Sequence, residues 1–298
     1  MSDSVAQQLS NDLAAAAART APSLVLLRGR RRRAAAGTVI DPQFFLVSDH
    51  LLDADDKVSA QTASGEVTAR VVGRDPGTDL ALLHVEGGAL QPVTMTTDPV
   101  RIGEIVLATG RTWTGQVAHP GFVTQLTGPH QLSPGFRLEQ AIHTSLEPFS
   151  GFSGGALVNV RGETVGISTS ALDPGRALAI PARDVTRVAD SLRRHGRLRR
   201  GYLGISSLPV SLPERQRQTG DRGLLVTSVA PGSPADAAAL LVGDVILGID
   251  DTAAARPDDL AAYLSADRVG QRAALRILRG TSPLQIEVTI GERIADRR

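Results

Sequence analysis

The chain contains no cysteine. That excludes disulfide bracing, a thiolate zinc site and a cysteine nucleophile. Lysine is almost missing: Lys57 stands alone and arginine carries the remaining basic charge, a compositional bias to which no function attaches. Acidic and basic residues balance to a net charge of +1, so no global field argues for a nucleic-acid partner. No run approaches the roughly 18 apolar residues of a membrane-spanning helix. Met1 to Thr20 lacks a basic start followed by an apolar core, so it does not read as a secretory leader. The chain as it stands is expected in the cytoplasm, or in the periplasm or beyond if a leader has been removed. No metal or cofactor is expected either. His84, His119, His130, His143 and His195 are scattered without ligand spacing, and Gly73–Gly77 has no phosphate-loop pattern.

What is present is a globular composition, 42% hydrophobic over 298 residues, long enough for two domains with cores of their own. Residues 7–20 read as a helix, with Asn11-Asp12 near the start of its alanine-rich run and Pro22 at its end. Short strand-like pieces follow at Leu24–Leu27, Gly37–Ile40, Phe44–Ser48, Val67–Val72, Ala81–Val85, Ile105–Ala108, Gly121–Leu126, Leu157–Val160 and Thr164–Ser168. Gly, Pro and Asp punctuate them, which predicts an all-β barrel or sandwich. A helix is expected over Ala182–His195, opened by Pro181 and amphipathic through Val185, Val188 and Leu192. The basic, glycine-flanked stretch around Arg197–Arg200 predicts a boundary: a first domain over 1–196, a linker over 197–200 and a second domain over 201–293. That second part mixes strands at Gly223–Val229 and Val245–Ile249 with a Ser233-capped helix through Leu241 and a helix over Asp258–Ser265. A final strand pair, Ala273–Leu278 and Leu284–Ile290, closes it.

Three residues carry chemistry. His50 ends Phe45-Leu46-Val47-Ser48-Asp49-His50, Asp79 lies in Thr78-Asp79-Leu80-Ala81, and Ser153 lies in Gly151-Phe152-Ser153-Gly154-Gly155. A serine hydroxyl is a poor nucleophile at neutral pH; it needs a base within reach and an acceptor that fixes the base's tautomer. Ser153 would attack, His50 would take and return the proton, and Asp79 would orient the imidazole. The order His, Asp, Ser is that of the chymotrypsin-type triad. Each residue alone has a plain reading, as a structural histidine, a turn and a loop; the order and contexts together predict peptide-bond cleavage. The oxyanion segment is Gly151, Phe152 and Ser153, with the N–H groups of Gly151 and Ser153 turned inward. Asp49 is expected to face away from the imidazole, as a strand neighbour would.

These motifs make the chain resemble the HtrA (Deg) family of serine proteases from about Leu13 to Ile290. The matching stretches include Gly37–Leu52, Val71–Val85, Ile142–Ser170, Arg200–Ile205, Ser233-Pro234-Ala235 and Gly243-Asp244-Val245-Ile246. The resemblance implies a mainly β fold: a two-barrel, chymotrypsin-like protease domain followed by a small α+β PDZ domain. It implies ATP-independent cleavage of unfolded or misfolded proteins and peptides, with peptide C-termini as PDZ partners. It also implies homotrimers, usually held by aromatic residues near the N-terminus; residues 1–20 contain none, which leaves monomer, trimer and other oligomers open. The family usually has Asn-Pro-Gly-Asn before Ser-Gly-Gly. Here Phe149, Ser150 and Phe152 replace those side chains without a gap, and a loop shifted by about 1 Å can cost 10²-fold in rate. The rival reading is therefore a protease-fold protein that holds peptides without cleaving them.

Two binding regions follow from the resemblance. Ile167, Ser168 and Leu178 are expected to wall the specificity pocket and favour a small or medium aliphatic residue, with Arg176 a solvated loop residue. In the PDZ domain, Tyr202, Leu203, Gly204 and Ile205 would form the carboxylate loop, with the peptide added as a strand. Leu260 and Leu264, one helical turn apart, would line the pocket for its last side chain. Ala239 stands where the family often has Gly. Arg30–Arg33 reads as a solvated hairpin tip.

Overall fold

A computed structural model describes residues 4–28, 34–53, 56–128, 130–133, 136–138, 140–173, 176–214, 221–264 and 268–292. Arg30–Arg33 and Ser265 lie outside them. The chain opens with a helix, Val5–Thr20, that starts earlier than its sequence suggests because the Ser4 side chain accepts the Gln7 N–H. Asn11 and Asp12 are not its caps. They sit a turn further on and accept from the Gln7 and Gln8 side chains at 3.0 and 2.9 Å. The alanines let this helix lie close to its neighbours: Ala16 is buried against Leu107, Ala156 and Val158. Pro22 then turns the chain through a short 3-10 segment, Ala21–Ser23.

Six antiparallel strands close the first barrel: Leu24–Arg28, Ala34–Asp41, Phe44–Ser48, Leu80–His84, Gly65–Asp75 and Lys57–Thr62, in spatial order. Its core gathers Val25, Leu27, Val39, Phe45, Val47 and Leu83. The Lys57–Thr62 strand carries no sequence signal of note, since alternate positions present Lys57, Ser59 and Gln61 to solvent and only Ala60 and Thr62 are buried. A second six-stranded barrel follows. Its spatial order is Ala141–Thr144, Leu178–Pro181, Thr164–Thr169, Ala156–Asn159, Ile105–Thr112 and Gly115–Thr127. The first two, Ala141–Thr144 and Leu178–Pro181, are four residues long, too short for a periodic pattern to announce them. The helix Ala182–His195 forms as its sequence predicts, burying Val185, Val188 and Leu192 and ending at Gly196 with φ 69°.

The two barrels meet at the serine-bearing segment. Thr38 Oγ1 of the first donates to the Gly154 carbonyl of the second at 2.9 Å. Gly154 has φ 83°, and a Cβ there would lie 2.1 Å from the Ala36 carbonyl oxygen. Only glycine permits both that backbone and that approach.

The compact unit formed by the first part of the chain gives way to a second between Leu198 and Arg199. The second unit has its own core, built on Leu203, Leu224, Val226, Ile246, Leu275 and Ile277. Its main sheet runs Ile205–Ser211, Arg222–Val229, Val245–Ile249, Arg272–Arg279, Ser282–Thr289. Ser233 caps a helix as expected, accepting from the Asp236 N–H, but that helix is only Pro234–Ala237 and not a run to Leu241. Ala239 adopts φ 56°, which ends the helix and lets the Leu240 N–H return to the Ala235 carbonyl. No helix among the described residues is long and apolar enough to cross a membrane.

Candidate active site

Phe44–Ser48 delivers His50 to the rim of the first barrel, in a single 3-10 turn over Asp49–Leu51. Asp79 ends the turn that joins the two neighbouring strands, at a left-handed φ of 55°. That turn is braced by the Asp75 carboxylate, which accepts the Thr78 N–H at 2.8 Å. Asp79 is buried, and every contact it makes serves to hold its carboxylate in place. Oδ1 accepts the His50 backbone N–H at 2.9 Å, and both oxygens lie 2.9 Å from His50 Nδ1. Oδ2 also accepts the Thr169 hydroxyl at 2.6 Å. An ionised carboxylate can only accept, so Nδ1 carries the proton and Nε2 is left as the basic nitrogen. The pKa of His50 is raised above its ordinary 6.5. The hydrogen bond to Asp79 is the main cause, burial opposes it, and the charges of Asp79 and Asp49 add to the rise.

Asp49 precedes the imidazole in a turn and not on a strand. Its carboxylate binds Arg74 Nε at 2.6 Å, and Arg74 also reaches the Asp49 and Asp53 carbonyls.

Ser153 comes from the second barrel. The loop before it turns at Gly151, φ 86°, where a Cβ would sit 2.9 Å from the Arg111 carbonyl oxygen. Phe152, which replaces a polar residue of the family pattern, points into the barrel core beside Val106, Ala108, Val123 and Leu157. Phe149 packs its edge on Phe152 and its face on His119, with ring centroids 3.8 Å apart and planes at 21°. The two aromatics therefore anchor the loop from below. The Phe152 N–H donates to the Phe149 carbonyl at 3.0 Å, so within the segment Gly151–Ser153 it is the middle N–H that is taken up inside the loop. The N–H groups of Gly151 and Ser153 have no acceptor among the described residues. Ser153 Oγ lies 3.1 Å from Ser170 Oγ and accepts the Ser170 N–H at 3.3 Å; no hydrogen bond joins it to His50.

His50 and Ser153 share an open cleft of about 570 Å3, lined also by Ala34, Leu51, Trp113, Phe149, Ser150, Gly151 and Ser170. Ile167, Ser168 and Leu178 are all buried to 1% exposure or less, and none of them lines the cleft. They lie within strands of a closed barrel, whose side chains fill the interior or the space under neighbouring elements. The cleft is walled instead by residues at strand ends and in loops. Arg176 is exposed. The sequence reading missed Trp113 altogether. A hydroxyl that reaches Asp79 from 90 positions away leaves no local pattern. No cluster of three His, Asp or Glu side chains among the described residues is arranged to hold a metal ion.

In the second unit, Tyr202 pairs with Gly291, Leu203 enters the core and Ile205 begins a strand opposite Val229. Gly204 between them has φ 84°, and its carbonyl accepts the Ala230 N–H at 2.8 Å. Leu260 lies in the helix Pro257–Tyr263, and Leu264 follows as its cap, both packed into the core.

Residues 35–167 match the trypsin-like peptidase domain and residues 201–290 the PDZ domain. The serine endoprotease DegS of Salmonella typhimurium is 30% identical over 273 residues, covering 86% of this chain and 76% of DegS. The chain belongs to the HtrA (Deg) family of serine endoproteases. The periplasmic pH-dependent serine endoprotease DegQ of Escherichia coli is 31% identical over 268 residues, 86% of this chain but only 58% of DegQ. The chain thus spans little more than half the length of that relative. Among solved structures, the HtrA-type protease AlgW with a decapeptide superposes with a TM-score of 0.79 at 26% identity, covering 95% of this chain and 99% of AlgW. The two-barrel fold with its PDZ domain is the HtrA architecture.

Proposed function

We propose that this HtrA family member is an ATP-independent endopeptidase that cleaves unfolded or misfolded protein. Ser153 is its nucleophile, His50 its base and Asp79 its orienting carboxylate. The observation that carries this reading is the Asp79 carboxylate, buried and held by three donors, with His50 Nδ1 as one of them. On substrate binding Ser153 Oγ turns from Ser170 to His50 Nε2. It attacks the scissile carbonyl carbon as its proton passes to Nε2, and the oxyanion forms against the Gly151 and Ser153 N–H groups. His50 then gives that proton to the leaving amine. A water molecule, activated by His50 in its turn, releases the acyl product and restores the serine. The Tyr202–Ile205 segment, with Leu260 and Leu264, is proposed to receive a peptide C-terminus as an added strand. The relatives named periplasmic support a periplasmic location.

The test is digestion of casein by wild type beside Ser153→Ala. Cleavage by wild type alone supports the triad. The position of Ser153 Oγ, bound to Ser170 and not to His50, favours a second reading: a peptide-holding protein that does not cleave. Absence of cleavage by either protein, even with added C-terminal peptides, would select it.

A further inference from the structure

We propose that Trp113 is a specificity-determining residue which, with Phe149, takes an aromatic or large aliphatic side chain of the substrate next to the scissile bond. The inference rests on the endopeptidase reading and names the substrate feature that the cleft selects.

Trp113 sits at the turn between the strands Ile105–Thr112 and Gly115–Thr127, 55% exposed, and lines the same cleft as His50 and Ser153. Among the described residues no ring or cation stacks on it. A Trp side chain buries up to about 250 Å2 where it is used for stability, and here about half of the residue faces water. Tryptophan is among the side chains enriched at the energetic hot spots of binding surfaces. The turn that presents it is braced. Thr112 Oγ1 lies 2.9 Å from Thr114 Oγ1 and donates to the Gly115 carbonyl at 3.2 Å. The same Thr112 abuts the oxyanion loop, its Cγ2 being 3.2 Å from where a Gly151 Cβ would lie. The turn that carries the indole is thus held at the edge of the loop that would activate the scissile carbonyl.

The rest of the lining agrees. Phe149, held by His119 and Phe152, offers a second aromatic surface, while Leu51 and Ala34 supply aliphatic ones. Among the described residues His50 is the only titratable side chain that lines the cleft. A lysine from the substrate would find no acidic side chain among those lining residues and would lose hydration. An aromatic or large aliphatic residue gains contact with both rings. Such side chains are buried in folded proteins and exposed in unfolded ones, so this cleft would read the folding state of its substrate directly.

Trp113 is the single tryptophan, which makes its own fluorescence the assay. The full chain carrying Ser153→Ala is titrated with C-terminally amidated peptides that differ at one position flanking the cleavage site, Phe against Ala or Asp. Amidation keeps the PDZ carboxylate loop out of the signal. The Phe peptide should shift the emission saturably and bind about tenfold tighter than either other peptide. In the active chain, Trp113→Ala should raise KM about tenfold for Phe peptides and less than about twofold for Ala peptides, with Trp113→Phe restoring most of the difference. Two results would overturn the proposal: unchanged emission with a peptide shown bound by anisotropy, or a Trp113→Ala variant that lowers kcat equally for every peptide. Saturable emission changes without cleavage by wild type would instead sink the endopeptidase reading and leave the role of Trp113 intact.

Discussion

Thr169 and His50 are the residues through which the Asp79 carboxylate acts. The Thr169 hydroxyl is the donor to Oδ2, at 2.6 Å inside a buried site. Thr169→Val keeps the shape and removes that donor. Hydrogen bonds to charged groups contribute about 1.5–3 kcal/mol, so kcat/KM should fall about 10- to 100-fold through kcat, with KM little changed. Thr169→Ser should restore most of it; steady-state kinetics on a peptide substrate decide. The His50 imidazole must be neutral to accept the serine proton, and its pKa is raised above 6.5. The acid limb of kcat/KM is therefore expected above pH 6.5, and Asp49→Asn, which removes one of the raising charges, should move it to lower pH. For stability the direction reverses. A raised folded-state pKa means the protonated imidazole favours the fold, a contribution fully present below the unfolded value and lost as pH rises through the folded one. Activity thus appears over the window in which this contribution disappears, and thermal melts beside rate profiles across that window would reveal the opposed trends.

At the scale of the element, Ala239 is the informative position. A non-glycine residue at φ 56° is strained by about 1–2 kcal/mol. Ala239→Gly should therefore stabilise the second unit by roughly 1 kcal/mol, read as a higher urea midpoint with unchanged slope. The same residue shows what was legible and what was not. The sequence showed an alanine at a position where the family has glycine, but not that the chain turns left-handed there, so the helix was drawn four residues too long. Strands with dense apolar runs, such as Phe44–Ser48, were found at their true limits. Lys57–Thr62 was lost because its outward residues are polar, and Ala141–Thr144 and Leu178–Pro181 because they are short. Motif spacing drew attention to His50, Asp79 and Ser153; of these the structure pairs His50 with Asp79 and sets Ser153 in the same cleft as His50. The cleft at His50 and Ser153 is lined by strand ends and loops, which carry no periodic pattern for a sequence to show. The two phenylalanines read as a threat to the oxyanion loop, whereas Phe152 is a core residue and Phe149 its brace.

For the whole molecule, separate cores predict separable unfolding. The barrels are built around Val25, Phe45 and Val47 and around Val106, Ile142 and Phe152; the second unit around Leu224, Ile246 and Leu275. Two cooperative units would violate two-state behaviour. In urea, Trp113 emission and activity should fall in one transition, while circular dichroism shows a second that Ala239→Gly alone displaces. Coincident transitions in every probe, all moved by that substitution, would contradict it. The seam at Gly154, where Thr38 and Ala36 of the first barrel receive the serine segment of the second, has a bearing on biosynthesis. Translation delivers His50 and Asp79 first and Ser153 some seventy residues later, and the three meet only when the later barrel docks on the earlier one. With the roles proposed above, a half-made copy carries no cutting power, so a protease acting on unfolded chains would begin on its ribosome-bound siblings only after it had itself finished folding.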